Sequence, residues 1–279
     1  MKLLSKCMVE KPWGKDVLPA PFTAPEGQRI GEIWFEPPPE MPDILVKYIF
    51  TSEKLSVQVH PSDAQARELG ESDRGKEECW LVLDAEPGAT LGIGFKAPIE
   101  ADRMRAAALD GTIEHLMEWY PVQRGDFFYI PAGTVHAIGA GITLVEIQQN
   151  SDITYRLYDY GRPRELHLHK GVAVAKGDVH ASSLRRQFDL AGSAQLVSGP
   201  FFKLALLAGD HAIAKLREDS PSPSLIVPIT RAIEVGKATV EPGECAFDAA
   251  FVEHETSVQG TTLLIAPPHQ SADAHEICE

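Results

Sequence analysis

Residues 125–139 read GDFFYIPAGTVHAIG, and the order of residue types decides how the chain must run. Gly125 and Asp126 suit a tight turn, and the FFYI that follows suits a buried strand. Pro131, Ala132 and Gly133 then bend the chain, so that His136 enters the next strand with its imidazole facing inward. On this segment alone two readings stay open. His136 is a ligand inside a barrel, or it is a satisfied core histidine of an ordinary hairpin.

Working outward, LSVQVHPSD (residues 55–63) carries a second histidine. Side chains alternate along a strand, so Leu55, Val57 and Val59 share one face while Ser56, Gln58 and His60 share the other. Gln58 and His60 thus point the same way, as two ligands of one ion must. Burying both groups without a partner would be costly, and a cation would account for both. Glu78, in GKEECW, follows Lys76 and Glu77 and precedes an apolar strand; alone it reads as part of a solvated charge run. Two imidazoles, a carboxylate and an amide (His60, His136, Glu78 and Gln58) suit a borderline divalent metal such as zinc. In ITLVEIQQN (residues 142–150), alternation puts Ile142, Leu144, Glu146 and Gln148 on one face. Glu146 then points into a barrel, which requires a partner or a task, or a mouth wet enough for a carboxylate. Arg156 follows in SDITYRLYDYGR.

The rest of the chain reads as short strands between Gly, Pro, Asp and Ser turns, the pattern of a β-sandwich or barrel. Strands are expected at 44–50, 55–60, 79–83, 90–95, 127–130, 142–149 and 154–158. Residues 100–118 break the pattern: ADRMRAAALDGTIEHLMEW, rich in Ala, Leu, Met and Glu, predicts one or two short helices, a lid or side flap on the barrel. Residues 63–69 add a helical turn. A boundary is expected near 177–194, giving an N-terminal metal-binding domain over 1–178 and a smaller β-domain over 179–279. In the second domain strands are expected at 201–207, 212–216, 224–228, 231–235, 237–240, 249–252 and 262–266. No clear repeat proves duplication. His211, His254, His269 and His275 show no mutual strand spacing, and the tail from Pro267 is polar and expected to fray.

The chain has 279 residues, enough for one large or two modest domains. A net charge of −14 argues against a general nucleic-acid binder, because phosphate backbones need a basic surface. It leaves room for a small anion in a local basic pocket. No apolar run approaches the roughly 20 residues that span a bilayer. The segment MKLLSKCMVEKPWG has no adequate signal-peptide core, so a cytoplasmic protein is expected. Cys7, Cys79, Cys245 and Cys278 are far apart and without CxxC spacing, which argues against a disulfide framework or a zinc knuckle. Cys79 reads as a core residue. There is no Walker loop, no GxGxxG after a strand and no GxSxG elbow.

Residues 125–139 resemble the second cupin motif. The ordered set VEKPWG, GEIWF, LVKYIFTSEKLSVQVHPSD, GKEECW, GDFFYIPAGTVHAIG and EIQQNSDITYRLYDYGR resembles type I mannose-6-phosphate isomerase in its compact bacterial form, over most of residues 9–170. The resemblance implies two cupin-like jelly-roll domains and one zinc ion per chain on Gln58, His60, Glu78 and His136. It implies catalytic positions at Arg156, Glu146 and Lys76, and a basic substrate position at Arg162. Lys54 and Ser56, near the Gln-x-His strand, are further candidates for a sugar phosphate. Arg164 and Lys170 read as an exposed basic face, and Trp13 and Trp34 as packing residues. EPGECAFDAA looks like a cupin turn that has lost its histidine, so the second half is expected to be structural and metal-free.

The reaction implied is interconversion of mannose 6-phosphate and fructose 6-phosphate through a cis-enediol. Arginine is a poor base, which leaves Glu146, Lys76 or a water at the metal to carry the proton. The alternatives are a non-catalytic sugar-binding cupin and a metal-dependent cupin oxidoreductase. The latter favours a ligand set richer in histidine than one containing Gln58. No pattern specifies an oligomeric state.

Overall fold

The computed structural model describes residues 1–209, 223–251 and 256–268. The expected strand at 212–216 lies outside the described residues, as do His211, His254, His269, His275, Cys278 and the tail beyond Pro268. The chain divides into two compact units. The larger holds Ser5–Pro37 and Pro42–Asp189; the smaller holds Met1–Leu4, Pro38–Met41 and the described residues from Leu190 onward.

The short strand β1 (Lys2–Leu3) belongs to the smaller unit. The larger unit then runs β2 (Lys6–Lys15), β3 (Ile30–Phe35), β4 (Ile44–Phe50), β5 (Val57–Val59), α1 (Asp63–Glu68), β6 (Glu78–Ala85) and β7 (Thr90–Phe95). It continues through α2 (Ala101–Asp110), α3 (Ile113–Leu116), β8 (Met117–Pro121), β9 (Asp126–Ile130), β10 (His136–Ile138), β11 (Ile142–Gln149), β12 (Tyr155–Tyr158), α4 (Leu168–Val174) and β13 (Arg185–Gln187). These strands form a seven-stranded sheet, β13-β9-β6-β11-β4-β3-β2, and a five-stranded sheet, β12-β5-β10-β7-β8. The all-β, cupin-like architecture expected from the sequence is the one observed.

The larger unit is built in three layers. Between the sheets lies a core drawn from both, including Trp80, Val82, Phe128 and Leu144 from the seven-stranded sheet and Leu91, Ile93 and Ile138 from the other. The opposite face of the five-stranded sheet, with Val57, Val59, Ala137 and Leu157, packs against Met104, Ala107 and Ala108 of α2, Ile113 of α3 and Val174 of α4. The helical insertion is therefore a side flap against the sheet. Gly111, at φ 83, ends α2 in the left-handed region and separates it from α3.

The alternation read from the sequence holds for most strands and fails at one residue. Leu55 lies ahead of β5 and packs in the inter-sheet core, whereas Val57 and Val59 pack under the helices. The turn at α1 has a capping box: Ser62 Oγ accepts from the Gln65 amide, and the Gln65 side chain accepts from the Ser62 amide. Helix α4 has no expectation behind it. Its sequence, LHKGVAV, contains glycine and β-branched residues, and packing against β12 overrides weak propensity. Strand β8 begins at Met117, inside the stretch expected to be helical.

In the smaller unit, β14 (Ala194–Ser198), β15 (Lys203–Ala208), β16 (Ser224–Pro228), β17 (Ile233–Val235), β18 (Ala238–Val240), β19 (Ala246–Asp248), β20 (Thr256–Val258) and β21 (Thr261–Ala266) follow. Among the described residues they form a six-stranded sheet, β1-β19-β16-β21-β15-β14, and a three-stranded sheet, β18-β17-β20. Of the strand expected at 249–252, residue 252 lies outside the described residues and 249–251 are not in a strand; the strand here is β19, which ends at Asp248. Asp248 Oδ1 accepts from the Ala250 amide at 2.8 Å, which turns the chain where the strand was expected to start.

Candidate metal centre

Strand register brings the centre together. His136 in β10 lies opposite Gln58 in β5, and Gln58 lies opposite Arg156 in β12. On the facing sheet, Gln148 lies opposite Glu78, and Glu146 opposite Trp80. Residues directly opposite one another share a face, so these two rows look into the space between the sheets. His60 lies one residue past β5 and still reaches the centre. Backbone hydrogen bonds pin the three ligand-bearing segments: the Gly133 amide donates to His60 O at 2.8 Å and the Lys76 amide to Pro61 O at 2.9 Å. Gly133 has φ 85, so the bend anticipated after Pro131 uses a conformation that favours glycine.

His60, Glu78 and His136 are buried, and one potential ligand atom of each lies within 4.8 Å of the others. Glu78 Oε2 is 3.7 Å from His60 Nε2, and Oε1 is 3.4 Å from His136 Nε2. Both rings are held by their other nitrogen. His60 Nδ1 is 2.7 Å from Ile153 O and His136 Nδ1 is 2.9 Å from Thr134 O. A carbonyl only accepts, so each Nδ1 carries the proton and the neutral ring turns the Nε2 lone pair inward. Burial keeps both rings neutral, with His136 pushed down to about 4 and His60 also well below its ordinary value. Gln58 Nε2 stands 3.3 Å from His136 Nε2, and Ser56 Oγ donates to Gln58 Oε1 at 3.1 Å.

This donor set fits a divalent cation. Two Nε2 lone pairs converge on a buried carboxylate whose Oε1 accepts no hydrogen bond while Oε2 faces Lys76, and the second nitrogen of each ring is oriented by a backbone carbonyl. Burial and the charge of Glu146 push the Glu78 carboxyl up, with Lys76 and Lys47 acting against them, and a divalent cation at the centre would further favour its ionised form. The amide of Gln58 is close enough to join as a fourth donor.

Charged groups surround these residues. Lys76 Nζ lies 2.7 Å from Glu78 Oε2, 3.2 Å from His60 Nε2 and 3.7 Å from Glu146 Oε1. Burial alone would lower the lysine; Glu146 and Glu78 outweigh it and push the pKa above its ordinary value. Glu146 shows the mirror image. Burial would raise it, but Lys76 and Lys47 hold it well below the usual carboxylate range, and Trp80 Nε1 donates to its Oε2 at 2.9 Å. The acid expected to need a partner therefore has three.

Arg156 is partly buried; its Nη1 donates to Glu165 O at 2.7 Å and its Nε has no partner. Arg162 donates to Lys54 O and lies 3.3 Å from Asp159, and its guanidinium faces the Tyr160 ring at 5.5 Å. Lys54 pairs with Glu114 of α3 and lies over Trp119 at 5.1 Å. Arg162 and Lys54 thus meet just ahead of β5, while Ser56, two residues on, turns its hydroxyl to Gln58. Arg164 is committed elsewhere, with bonds of 2.6 and 2.7 Å to buried Asp159, and Lys170 pairs with Glu71.

Sequence reading missed Lys47, Glu114 and Tyr160. Lys47 left a signal, as the lone charge inside the apolar run ILVKYIF. Tyr160 left none, because its left-handed backbone (φ 54) is set by the surrounding chain. A cavity of about 430 Å³ opens beside Trp34, Lys47 and Asn150–Asp152, in the same unit.

The fold and the centre make the larger unit a two-sheet, cupin-like body with a buried His-Glu-His cluster. Solved structures of mannose 6-phosphate isomerases superpose on the chain. The mannose 6-phosphate isomerase of Bacillus subtilis superposes with a TM-score of 0.76 at 24% identity, over 95% of this chain and 98% of that one. A zinc-bound mannose 6-phosphate isomerase superposes with a TM-score of 0.69 at 14% identity, over 96% and 99% of the two chains. At the sequence level, the mannose-6-phosphate isomerase of Streptococcus mutans is 41% identical over 167 residues, 57% of this chain and 52% of the relative. The chain thus spans about half the length of that curated relative. No family model matches the chain.

Proposed function

We propose that the chain is a zinc-dependent aldose–ketose isomerase that interconverts mannose 6-phosphate and fructose 6-phosphate through a cis-enediol, in the cytoplasm. One observation carries the reading. A buried His60/Glu78/His136 cluster shares its interior with a lysine–glutamate pair and with Arg156, so cation-binding and charge-stabilising groups face a single space. Names on relatives and structural neighbours support the same substrate class.

We assign Gln58, His60, Glu78 and His136 to the metal. Bound there, zinc would polarise the oxygens on C1 and C2 and offset the negative charge of the enediolate. Lys76, kept as an ammonium by Glu146 and Glu78, donates hydrogen bonds to substrate oxygens beside the ligands. Arg156, always charged, sits across β5 from the ligands and stabilises the same developing charge. Glu146 is tied to two lysines and an indole N–H and stays ionised, so its task is to hold Lys76. We give the transfer of the proton between C1 and C2 to water in the site. Arg162, Lys54 and Ser56 take the phosphate dianion, for which arginine supplies a bidentate fork. The catalytic machinery falls in residues 1–178, and residues 179–279 serve as a structural, metal-free β-domain.

The test is a coupled assay on zinc-reconstituted protein, with and without chelator. Turnover of mannose 6-phosphate that is lost on chelation and regained with zinc is expected. Tight sugar binding without turnover would turn the reading toward a sugar-binding module. Oxidised sugar in place of fructose 6-phosphate would turn it toward an oxidoreductase.

A further inference from the structure

We propose that Lys47 is a positioning residue, fixing the Glu146 carboxylate and, through it, the Lys76 ammonium beside the metal ligands. This rests on the isomerase reading above and names a group that reading does not use.

Lys47 sits mid-strand in β4, 7% exposed, in a run otherwise apolar. A buried ion pair is often no more stable than well-packed apolar residues in place of both partners, whereas removing one partner alone is destabilising. Stability alone therefore does not call for the Lys47–Glu146 pair here. Register makes a straight row across four neighbouring strands: Trp34, Lys47, Glu146, Trp80. Within it, Lys47 Nζ lies 3.3 Å from Glu146 Oε1 and 4.7 Å from the centroid of the Trp34 ring. The ring is itself held, since Trp34 Nε1 donates to Glu32 Oε2 at 2.5 Å.

Both oxygens of Glu146 are thereby fixed. Oε2 accepts from Trp80, and Oε1 is shared between Lys47 at 3.3 Å and Lys76 at 3.7 Å. Lys47 balances Lys76 across one oxygen. Without it, Oε1 has only Lys76 to attract, and the ammonium is drawn toward Glu146 and away from Glu78 and His60. A small displacement of a charge-stabilising group is enough to cost turnover.

The experiment compares Lys47→Met and Lys47→Arg in the zinc-loaded protein. Lys47→Met should lower kcat by roughly 10–100-fold, the range seen when outer supports of a metal site are removed. KM should stay within about twofold, and metal content should be unchanged. Lys47→Arg, which keeps the charge, should recover most of kcat. The indole N–H proton resonance of Trp80, assigned by its loss in Trp80→Phe, reports Glu146 independently of activity and should move in Lys47→Met. A parental kcat with an unmoved Trp80 resonance overturns the proposal, as does Lys47→Arg being as slow as Lys47→Met. Should Lys47→Met fail to fold, Trp34→Leu removes the ring from Lys47 and leaves the ion pair. It should lower kcat and move the resonance to a smaller extent, and no change in either overturns the proposal. If the parent protein has no isomerase activity while the Trp80 resonance moves in Lys47→Met, the reaction assignment falls and the clamp on Glu146 stands.

Discussion

Gln58 stands directly opposite His136 across two antiparallel strands, with their Nε2 atoms 3.3 Å apart. The histidine lone pair meets the amide because its Nδ1–H is spent on Thr134 O. Turned over, the same amide would present Oε1 to the space shared with Glu78. The pair therefore couples the most specific motif of the chain, 125–139, to the less common one at 58–61.

His136→Ala should remove metal and activity together. The expected loss of zinc affinity exceeds the roughly 100-fold limit typical of outer-sphere changes. Metal analysis after dialysis checks it, and a full complement of zinc in the variant would take His136 out of the ligand set.

Arg156→Ala should keep the metal and lose most turnover, with kcat down by about 100-fold, as for other groups that stabilise developing charge. Steady-state kinetics at matched zinc content reads this directly. An unchanged kcat would remove Arg156 from the mechanism.

Arg162→Ala should mainly raise KM. Loss of a charge-assisted hydrogen bond worth about 1.5–3 kcal/mol corresponds to roughly 10–100-fold. An effect confined to kcat would argue against a phosphate contact.

Gly75→Ala should disturb the centre from outside it. A Cβ at this position would meet Pro61 O at 2.3 Å and the Ser62 carbonyl carbon at 2.4 Å, both backbone atoms that cannot swing aside. The segment leading to Lys76 and Glu78 must move to relieve the overlap. The expected cost is about 1–3 kcal/mol of stability, with weaker zinc binding. Thermal melts and chelator competition measure the two effects, and wild-type values in both would show that the segment yields freely.

Much of this was legible in the sequence because strands have a period of two. Alternation alone placed Glu146 and Gln148 on one face of β11 and Gln58 on the inward face of β5. What alternation cannot carry is the crossing between elements. Lys47 belongs to the centre only because β4 pairs with β11 in one register, and local sequence does not fix that register. Leu55 broke the pattern because the strand starts two residues later than its composition suggests. Helix α4 was hidden for a related reason: its stability comes from contacts with β12, which a local reading does not see.

The candidate donors come from both layers of the larger unit, and Gln58 and His136 are 78 residues apart in the chain. The whole set falls within residues 58–136, and neither sheet alone carries it. Zinc bound as proposed would require both layers to have closed on each other. It would then rivet them together, so a loaded chain is expected to resist protease longer than an empty one.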